Sequence, residues 1–407
     1  MTHPRSPIVF RFGVFCLAVL CCTGAMAQAN SENGAVRARD LGIPFDGRPG
    51  PLNAITDVAG VTVGHSTLIE DLDDGRAVRT GVTAILPRGR ASFDKPVFAG
   101  TFALNGNGEM TGTIWVEESG MLEGPVMITN THSVGVVRDA VIQWRVAQGG
   151  ADDSGYWWSL PVVAETYDGY LNDINGFHVK PEHAHAALES AAGGPVAEGG
   201  VGGGTGMIAH EFKGGIGTAS RVVGGEDGEF TLGVLVQANY GLRDLLRIAG
   251  APVGKHLQDH KVYTDPALAL RGMPVDGETG SIIIVVATDA PLLPHQLKRL
   301  ARRAALGLAR NGSVASNGSG DIFIAFSTAN GEAGQSGPAV EVRMLTNEGM
   351  NDLIVATVEA TEEAVVNAMV AAEDMRGDRG HLVKAIPHDE LRAALQRYGR
   401  LEDTEAD

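Results

Sequence analysis

The sequence predicts an α+β protein in which two β-sheets stack on each other and are covered by helices. Three observations support this fold class. From Ile55 onward, short runs rich in β-branched residues alternate with glycine turns, a pattern typical of strands. Glycine supplies 55 of the 407 residues with no fixed period, as many tight turns require. Helical patterns are too few for a strict strand–helix alternation, which favours mixed sheets.

The strand predictions rest on short apolar or alternating runs bounded by turn residues. Phe230–Asn239 is a strong strand that ends in a polar residue. The run SIIIVVA, which starts at Ser281, is continuously apolar, as in a strand buried on both faces. The other predicted strands are ITDVAGVTVGH, TGVTAILP, KPVFAGTFAL, GPVMITNT and DIFIAFST.

The helix predictions rest on apolar residues that recur on one face. Pro291–Arg310 is the clearest, because Leu297 and Leu300 share an apolar face and basic residues cover the opposite one. Pro181–Ala192 has proline in its first turn and glycine after its end. The remaining predicted helices are Ser133–Gln148, Asn351–Ala372 and His388–Arg397, and an acidic tail follows them.

The stretch from Gly193 to Gly225 is rich in glycine but does not match a phosphate-binding loop. It contains no GxxxxGK[ST], and no GxGxxG lies in register between a strand and a helix. We therefore interpret its glycines as residues of tight turns or of close backbone approach around a pocket.

The N-terminal residues have the three parts of a secretory signal. Arg5 and Arg11 supply positive charge at the start. Phe12–Cys22 is an apolar run, and Ala25–Ala27 is a small-x-small cleavage site. The alternative interpretation is a membrane anchor, but the apolar run is too short for a stable one. We expect cleavage after Ala27 and a periplasmic or secreted product.

Composition argues against several classes of protein. Cys16, Cys21 and Cys22 are the only cysteines and lie inside the predicted signal, so the mature chain would have no disulfide and no thiolate nucleophile. The net charge of -17 argues against nucleic acid and anionic membranes as partners. No convincing histidine metal site and no GxSxG elbow is found, so neither a metal cofactor nor a histidine-dependent serine triad is expected.

The bond between Gly280 and Ser281 joins a polar, turn-rich segment to an apolar strand. If that bond is broken, Ser281 gains a free α-amine, whose pKa near 8 suits it to act as base for its own hydroxyl. Gly280 has no side chain to hinder attack on its carbonyl. Gly-Ser is a common dipeptide, so an ordinary strand start is the alternative.

Three further groups of polar residues are candidates for the same site. Ser319 and Asp321 lie in SNGSGD, a segment with the composition of a turn, where a hydroxyl and an acid could orient a nucleophile or simply bond their own backbone. Asn239 ends an apolar strand, where its amide could stabilise an oxyanion. PVVAETYDGYLNDING follows the aromatic pair Trp157–Trp158, which predicts either a pocket wall or a structural aromatic cluster.

Taken together, several segments resemble the DmpA-like family of L-aminopeptidases/D-esterases and β-peptidyl aminopeptidases. The resemblance covers essentially the whole mature chain and implies no cofactor. It implies a precursor that cleaves itself before Ser281 into subunits of residues 28–280 and 281–407, which form one catalytic domain. It also implies a four-layer αββα sandwich, analogous to N-terminal-nucleophile hydrolases, and a tetramer of heterodimers. The segments are ITDVAGVTVGH, NGNGEMTG, NTHSVG, PVVAETYDG, VGGGTGM, FKGGIGTASR, SIIIVVATDAPLLPHQLKRLARRA, SNGSGD and ATEEAVVNAM.

The resemblance also implies a role for each candidate residue. Ser281 matches the nucleophile, which would attack the carbonyl of the N-terminal residue of a small peptide, amide or ester. Its proton would pass to its own α-amine or to a relay through a second serine. The other matches are Ser319 and Asp321 as the accompanying serine and acid, Asn239 as the oxyanion donor, Tyr167 as an active-site tyrosine, Glu165 as the acid for the substrate ammonium group and Trp158 as a pocket wall.

Two other functions compete with this hypothesis. One is an acyltransferase of the ornithine acetyltransferase type, which shares the architecture and the self-cleavage, but that family is expected to use threonine and to work in the cytoplasm. The other is a catalytically silent binding protein that keeps the fold without cleavage. Preference for β-amino acids, small L-residues or D-amino acid esters is left open by the sequence.

Overall fold

The computed structural model describes residues 35–149, 158–225, 228–262, 279–334 and 337–402. The predicted signal, Trp157, residues 263–278 of the segment before the Gly280–Ser281 bond, and the end of the acidic tail lie outside these residues. None of the helices described has both the length and the hydropathy that crossing a lipid bilayer requires.

The larger of two main sheets has six strands in the order β4-β3-β12-β11-β10-β9. Strands β11 and β12 are parallel, whereas the other neighbours are antiparallel. Strands from late in the sequence therefore lie between strands from early in it. The strands are β3 (Val97–Gly106), β4 (Met121–Leu122), β9 (Gly215–Gly225), β10 (Gly228–Asn239), β11 (Thr279–Thr288) and β12 (Gly318–Ser327).

The smaller sheet has four strands in the order β1-β2-β5-β6, and only the β5–β6 pair is parallel. Two further pairs of very short strands form hairpins, one of which, β7–β8, packs against β10. The strands are β1 (Thr62–Asp71), β2 (Ala77–Arg90), β5 (Val126–Asn130), β6 (Val162–Thr166), β7 (Ile208–Ala209), β8 (Phe212–Lys213), β13 (Met375–Arg376) and β14 (Leu382–Val383).

Helices cover the outer faces of both sheets. Helices α2 and α3 pack on the smaller sheet, whereas α4 and α5 pack on the larger one. The helices are α1 (Thr113–Ser119), α2 (Val134–Ala147), α3 (Pro181–Glu189), α4 (Pro294–Arg310), α5 (Asn351–Val370) and α6 (His388–Arg397).

Strand β11 shows how the layers are separated. Its residues Ile282 and Ile284 belong to the core between the large sheet and its helices, whereas Ile283 and Val285 belong to the core between the two sheets. A third core joins the small sheet to α2 and α3. Because successive side chains of a strand point to opposite faces, a continuously apolar strand is buried on both. The predicted αββα sandwich and the doubly buried strand are confirmed.

Some predicted boundaries are wrong by a few residues. The helix expected from Pro291 begins at Pro294, where the Leu293 N–H donates to Gln296 Oε1 at 3.0 Å and so caps the first turn. The helix expected to reach Ala192 ends at Glu189, because Ala192 instead pairs with Val63 of β1. The helix expected to reach Ala372 ends at Val370, and the other two predicted helices agree with α2 and α6 to within one residue.

The glycine-rich stretch owes its glycines to close packing. Gly203 donates its backbone N–H to Thr83 Oγ1 at 3.1 Å, and a Cβ on Gly203 would lie 2.2 Å from Gln237 Oε1. The backbone therefore passes between β2 and β10 at a distance that a side chain would prevent. This agrees with the predicted close backbone approach.

Candidate active site

Ser281 lies at the start of β11, between two strands that each carry another candidate. In the sheet register it is opposite Asn239 of β10 and Gly320 of β12. The residue is buried, at 6 % exposed, yet its hydroxyl has no hydrogen-bond partner in the part of the chain that the structure describes. Pairing with β10 on one side and β12 on the other fixes the backbone position of Ser281.

The Gly280–Ser281 bond lies inside the strand rather than before it. Strand β11 begins at Thr279, so Gly280 is already paired with Ser319 of β12. A Cβ on Gly280 would lie 2.1 Å from the backbone oxygen of Asn239. Only glycine allows β10 and β11 to approach this closely, which gives this position a packing reason in addition to the chemical one.

Ser319 and Asp321 lie in β12, so the prediction of a turn over this segment is wrong for these residues. Pairing with β11 and β3 on both sides draws them into the sheet. The Ser319 hydroxyl donates to Asp321 Oδ1 at 2.6 Å, and both side chains are fully buried. The predicted serine–acid pair is therefore present in the folded chain.

Strand alternation separates this pair from the Ser281 side chain. Phe323 of β12 faces the helices, and Ser319 and Asp321, which lie four and two residues before it, point to the same face. In β11, Ile283 faces the space between the two sheets, and Ser281, two residues before it, points the same way. The irregularity beside Asp321 is an extra residue in β3, so β12 itself alternates regularly. The pair thus lies beside the backbone of residues 280–281 rather than beside the Ser281 hydroxyl.

Asn239 is held by two hydrogen bonds to backbone atoms. Its Oδ1 accepts from the N–H of Ile208 at 2.8 Å, and its Nδ2 donates to the carbonyl oxygen of Tyr167 at 2.8 Å. These contacts fix which end of the amide is the donor. The remaining N–H of this amide is the one that could donate to a developing oxyanion at Ser281.

Glu165 of β6 is a buried carboxylate, at 3 % exposed. Its Oε1 accepts from the Glu109 N–H at 3.0 Å, and its Oε2 accepts from the Thr131 hydroxyl. Burial raises the pKa of Glu165, and these hydrogen bonds only partly oppose the shift. Among the described residues no cationic side chain lies within ion-pair distance of it.

The loop after β3 brings Glu165 to the end of β12. A Cβ placed on Gly108 would lie 3.2 Å from Glu165 Oε1 and also 3.2 Å from the Cα of Gly320. Gly320 in turn pairs with Ser281. The Glu165 carboxylate and β12, the strand next to Ser281, are therefore separated by about the space of one methyl group.

Tyr167 and Trp158 are the more exposed of the candidate residues. Tyr167 is 43 % exposed and Trp158 is 51 % exposed. Burial raises the pKa of the Tyr167 phenol, and the adjacent Asp168 raises it further. Trp158 packs edge-on against Trp115, with ring centroids 6.3 Å apart.

Asp168 is a buried acid that the sequence did not single out for a role. Asn130 Nδ2 and Asn172 Nδ2 donate to its two carboxyl oxygens at 3.0 and 3.1 Å. Burial raises its pKa to about 6, against the opposing effect of these hydrogen bonds and one from Thr80. This network fixes the chain directly after Tyr167.

Two asparagines and a lysine were also missed. Asn105 Nδ2 donates to Ser316 O at 3.0 Å and also to Ser319 O, and Asn107 Nδ2 donates to Gly318 O at 2.9 Å. Lys213 is fully buried, with its Nζ bonded to two glycine carbonyl oxygens, and burial lowers its pKa to about 7. The quoted motifs NGNGEMTG and FKGGIGTASR contain these residues, but spacing alone assigns them no partner.

No group of three or more histidine, aspartate or glutamate side chains in the described residues is arranged to hold a metal ion. The site's polar groups are hydroxyls, amides and carboxylates. Such groups suit acyl transfer through a serine, in which a hydroxyl attacks and amide donors stabilise the oxyanion.

Comparison with known proteins gives consistent matches. The profile of peptidase family S58 matches residues 53–383. The beta-peptidyl aminopeptidase BapA of Sphingosinicella microcystinivorans is 55% identical over 387 residues, which is 92% of this chain and 96% of that protein. BapA of Sphingosinicella xenopeptidilytica is 50% identical and covers 89% of this chain and 92% of that protein.

Two solved structures are similar over almost their whole length. The L-aminopeptidase D-Ala-esterase/amidase of Ochrobactrum anthropi, a variant among the Ntn hydrolase fold, has a TM-score of 0.82 and 54% identity, and the match covers 90% of this chain and 99% of that chain. The beta-aminopeptidase of Burkholderia sp. has a TM-score of 0.79 and 51% identity, with 89% and 99% of the two chains covered. The predicted fold class is confirmed.

Proposed function

Because the chain belongs to peptidase family S58, we propose that it is a self-processing serine aminopeptidase that releases N-terminal residues from short peptides, amides and esters. The names of its relatives indicate the substrate class, which is β-amino acids, small L-amino acids or both. The acyl group would be carried on Ser281, and no metal or organic cofactor is required.

The observation that carries this proposal is the buried carboxylate of Glu165, which forms no ion pair among the described residues. A buried acid is costly unless a cation or several donors satisfy it. Glu165 has two donors and an electrostatic influence from His132, but no described cationic side chain lies within ion-pair distance of it. The α-ammonium group of a peptide substrate would supply that charge, which explains why the enzyme would act at an N-terminus.

Ser281 would become competent only after the bond to Gly280 is cleaved. Its new α-amine would then act as the general base. Ser319 is supported as the group that holds this amine, because it is paired with Gly280 and faces away from the Ser281 hydroxyl. Asp321, which accepts the Ser319 hydrogen bond at 2.6 Å, would orient that serine.

The reaction would then run in two steps. The Ser281 oxygen bonds to the substrate carbonyl carbon while its proton passes to the α-amine, and the amide of Asn239 stabilises the oxyanion. Collapse of the tetrahedral intermediate breaks the bond to the leaving amine or alcohol, which takes up that proton, and leaves an ester on Ser281. Water, deprotonated by the same amine, releases the acid product and restores the hydroxyl.

The fragments of residues 28–280 and 281–407 should stay together as one catalytic domain. Strands β11 and β12 of the second fragment lie between β3 and β10 of the first. Separation would break the β3–β12 and β10–β11 hydrogen-bond ladders and expose the apolar faces of the central strands. We further propose export to the periplasm or medium after cleavage at Ala27, and assembly into a tetramer of heterodimers, as the family resemblance implies.

Substrate assays with an acyl-enzyme trap test the function. We expect turnover of a β-alanyl amide, an L-alanyl amide or a D-alanine ester, and a mass increase of one acyl group on the fragment that begins with Ser281. The variant Ser327→Ala, which removes a buried hydroxyl at the other end of β12, serves as control and should stay active. Failure of all three substrates, or acylation elsewhere, would refute the proposal.

A further inference from the structure

Residues 337–344, here called the exposed arm, are all exposed in the folded chain. No helix, turn or bend interrupts the path from 339 to 346. Val340, Val342 and Met344 occupy alternate positions and are 41, 40 and 52 % exposed, whereas Glu341 and Arg343 lie between them. A solvent-exposed run of this composition has the period of a strand with one apolar face.

One edge of the exposed arm is occupied by its own chain at Arg343 and Leu345. Arg343 donates its backbone N–H to Asn330 Oδ1 at 2.8 Å and accepts from Asn330 Nδ2 at 3.0 Å. Leu345 donates its N–H to the carbonyl oxygen of Pro291 at 2.9 Å. Asn330 therefore acts on this edge as a neighbouring strand would.

The other edge is open. In an extended chain, the backbone groups of successive residues point to opposite edges, so those of alternate residues share an edge. The N–H and C=O groups of Val340, Val342 and Met344 thus point away from Asn330, and no hydrogen bond to them is found in the described part of the chain. Open edges of this kind are templates for strand pairing between chains.

We propose that the exposed arm pairs with the same arm of a second copy of this chain, antiparallel, about a two-fold axis at Val342. Val342 would face Val342 of the second copy, and Val340 would face its Met344. Each of these outward residues would exchange both backbone hydrogen bonds with its counterpart. The interface is isologous, as in a symmetric dimer, so one surface serves both copies.

Charge selects this register over its neighbours. With the axis at Val342, Glu341 lies opposite Arg343 of the second copy, in a non-hydrogen-bonded pair where side chains are closest, with Cα atoms about 4.5 Å apart. An axis at Glu341 or at Arg343 would place like charges face to face. Neither residue has an ion-pair partner among the described residues, so both charges are available.

The pairing gives a location to the self-association of copies proposed above. It rests on that proposed self-association but not on the proposed catalytic chemistry. A short two-stranded ribbon is only marginally stable by itself. The arm would therefore be one contact within a larger interface. It lies after Ser281, so in a processed protein it belongs to the smaller fragment.

Charge reversal tests the register. We expect Glu341→Arg and Arg343→Glu each to raise the dissociation constant between copies about tenfold, because two symmetric attractive pairs become repulsive. The double variant Glu341→Arg/Arg343→Glu restores opposite charges and should associate as the parent does. Analytical ultracentrifugation at low salt measures this. Unchanged association of both single variants, or failure of the double variant to recover, would overturn the proposal.

A cysteine at the axis gives a second test. Val342→Cys, made with Cys16, Cys21 and Cys22 changed to serine, should form a disulfide between copies on mild oxidation, because the paired Cα atoms would be about 5.5 Å apart. Val314→Cys, at a side chain that is 63 % exposed elsewhere, is the control. Equal cross-linking of the two variants, or none at Val342→Cys, would contradict the pairing.

The same gel separates this inference from self-processing. In a cleaved protein the disulfide doubles the mass of the fragment 281–407 and leaves the larger fragment unchanged. In an uncleaved protein it doubles the full chain. Cross-linking without cleavage would therefore support the arm and count against the proposed chemistry, and cleavage without cross-linking would do the reverse.

Discussion

The two ends of the β11–β12 pair carry similar residues with different engagements. At the far end, the Thr288 hydroxyl donates to Thr231 O at 2.8 Å, and the Ser327 hydroxyl donates to Ala290 O at 2.6 Å. At the near end, the Ser281 hydroxyl has no partner among the described residues, and the Ser319 hydroxyl donates to a carboxylate.

This difference separates structural hydroxyls from candidate catalytic ones. Both far-end hydroxyls also accept a backbone N–H two residues on, so they close the turns that leave the sheet. At the near end, by contrast, Ser281 makes no such hydrogen bond among the described residues, and Ser319 donates to the side chain of Asp321. Between the two ends the strands are apolar on both faces, which makes them a rigid support for the near end.

Among the variants that keep Ser281, the largest expected effect follows replacement of the near-end amide. Asn239→Ala should lower kcat about 10²- to 10³-fold, because the oxyanion would lose a preorganised donor. Its matched control is Thr288→Val, at the far end of the same β10–β11 ladder, which should change stability but not kcat. Steady-state kinetics with urea unfolding checks both. Equal loss of kcat in the two variants would show that the ends do not differ.

The serines of β12 give the next comparison. Ser319→Ala should lower kcat about 10²-fold with KM little changed, because the group that holds the α-amine is lost. Ser327→Ala should cost about 1 kcal/mol of unfolding free energy and leave kcat within twofold. A pH–rate profile distinguishes the two roles, since only Ser319→Ala should move the rising limb at lower pH, which reports deprotonation of the α-amine.

Asp168 predicts a pH dependence of stability. Its pKa is raised from 3.8 to about 6, so the folded chain binds its proton more tightly than the unfolded chain does. Its stabilisation is fully present below pH 3.8 and is lost as the pH rises through about 6. Asp168→Asn, which does not titrate, should therefore destabilise more at pH 4 than at pH 7, by up to about 3 kcal/mol.

Urea unfolding of the parent and the variant at the two pH values measures this difference. His65 and His210, whose pKa values burial lowers to about 4, contribute with the opposite sign in both proteins and cancel in the comparison. A difference between parent and variant that does not change with pH would mean that folding does not raise the pKa of Asp168.

The smallest expected effect is on substrate binding. Glu165→Gln keeps the shape and the acceptor for the Glu109 N–H but removes the charge, so KM should rise about tenfold with a smaller change in kcat. An ester substrate that lacks an amino group should lose much less from this change. If both substrates are affected equally, Glu165 supports the fold rather than the ammonium group.

The sequence predicted the layers well because apolar periodicity and turn residues report burial directly. SIIIVVA is buried on both faces, as its composition requires. The turn predicted over SNGSGD is present at its start, where the Ser319 N–H donates to Ser316 O at 2.9 Å. It was wrong from Gly318 onward, because sheet pairing overrides the local preference of serine and glycine.

The site could be predicted only in part. Chemistry-bearing residues such as Ser281 and Asn239 stood out at a strand end, and the family resemblance assigned their roles. The facts that Asn239 bonds Ile208 and that Asp168 is buried among amides depend on contacts between distant segments. A single sequence holds no local signal for such contacts.

The identity of the N-terminal residue of the smaller fragment tests the central claim most directly. Mass spectrometry of the purified protein and of Ser281→Ala measures it. The account predicts a fragment that begins with Ser281 in the parent, and an intact, inactive chain in the variant. An active parent that stays uncleaved, or cleavage that persists in Ser281→Ala, would contradict it.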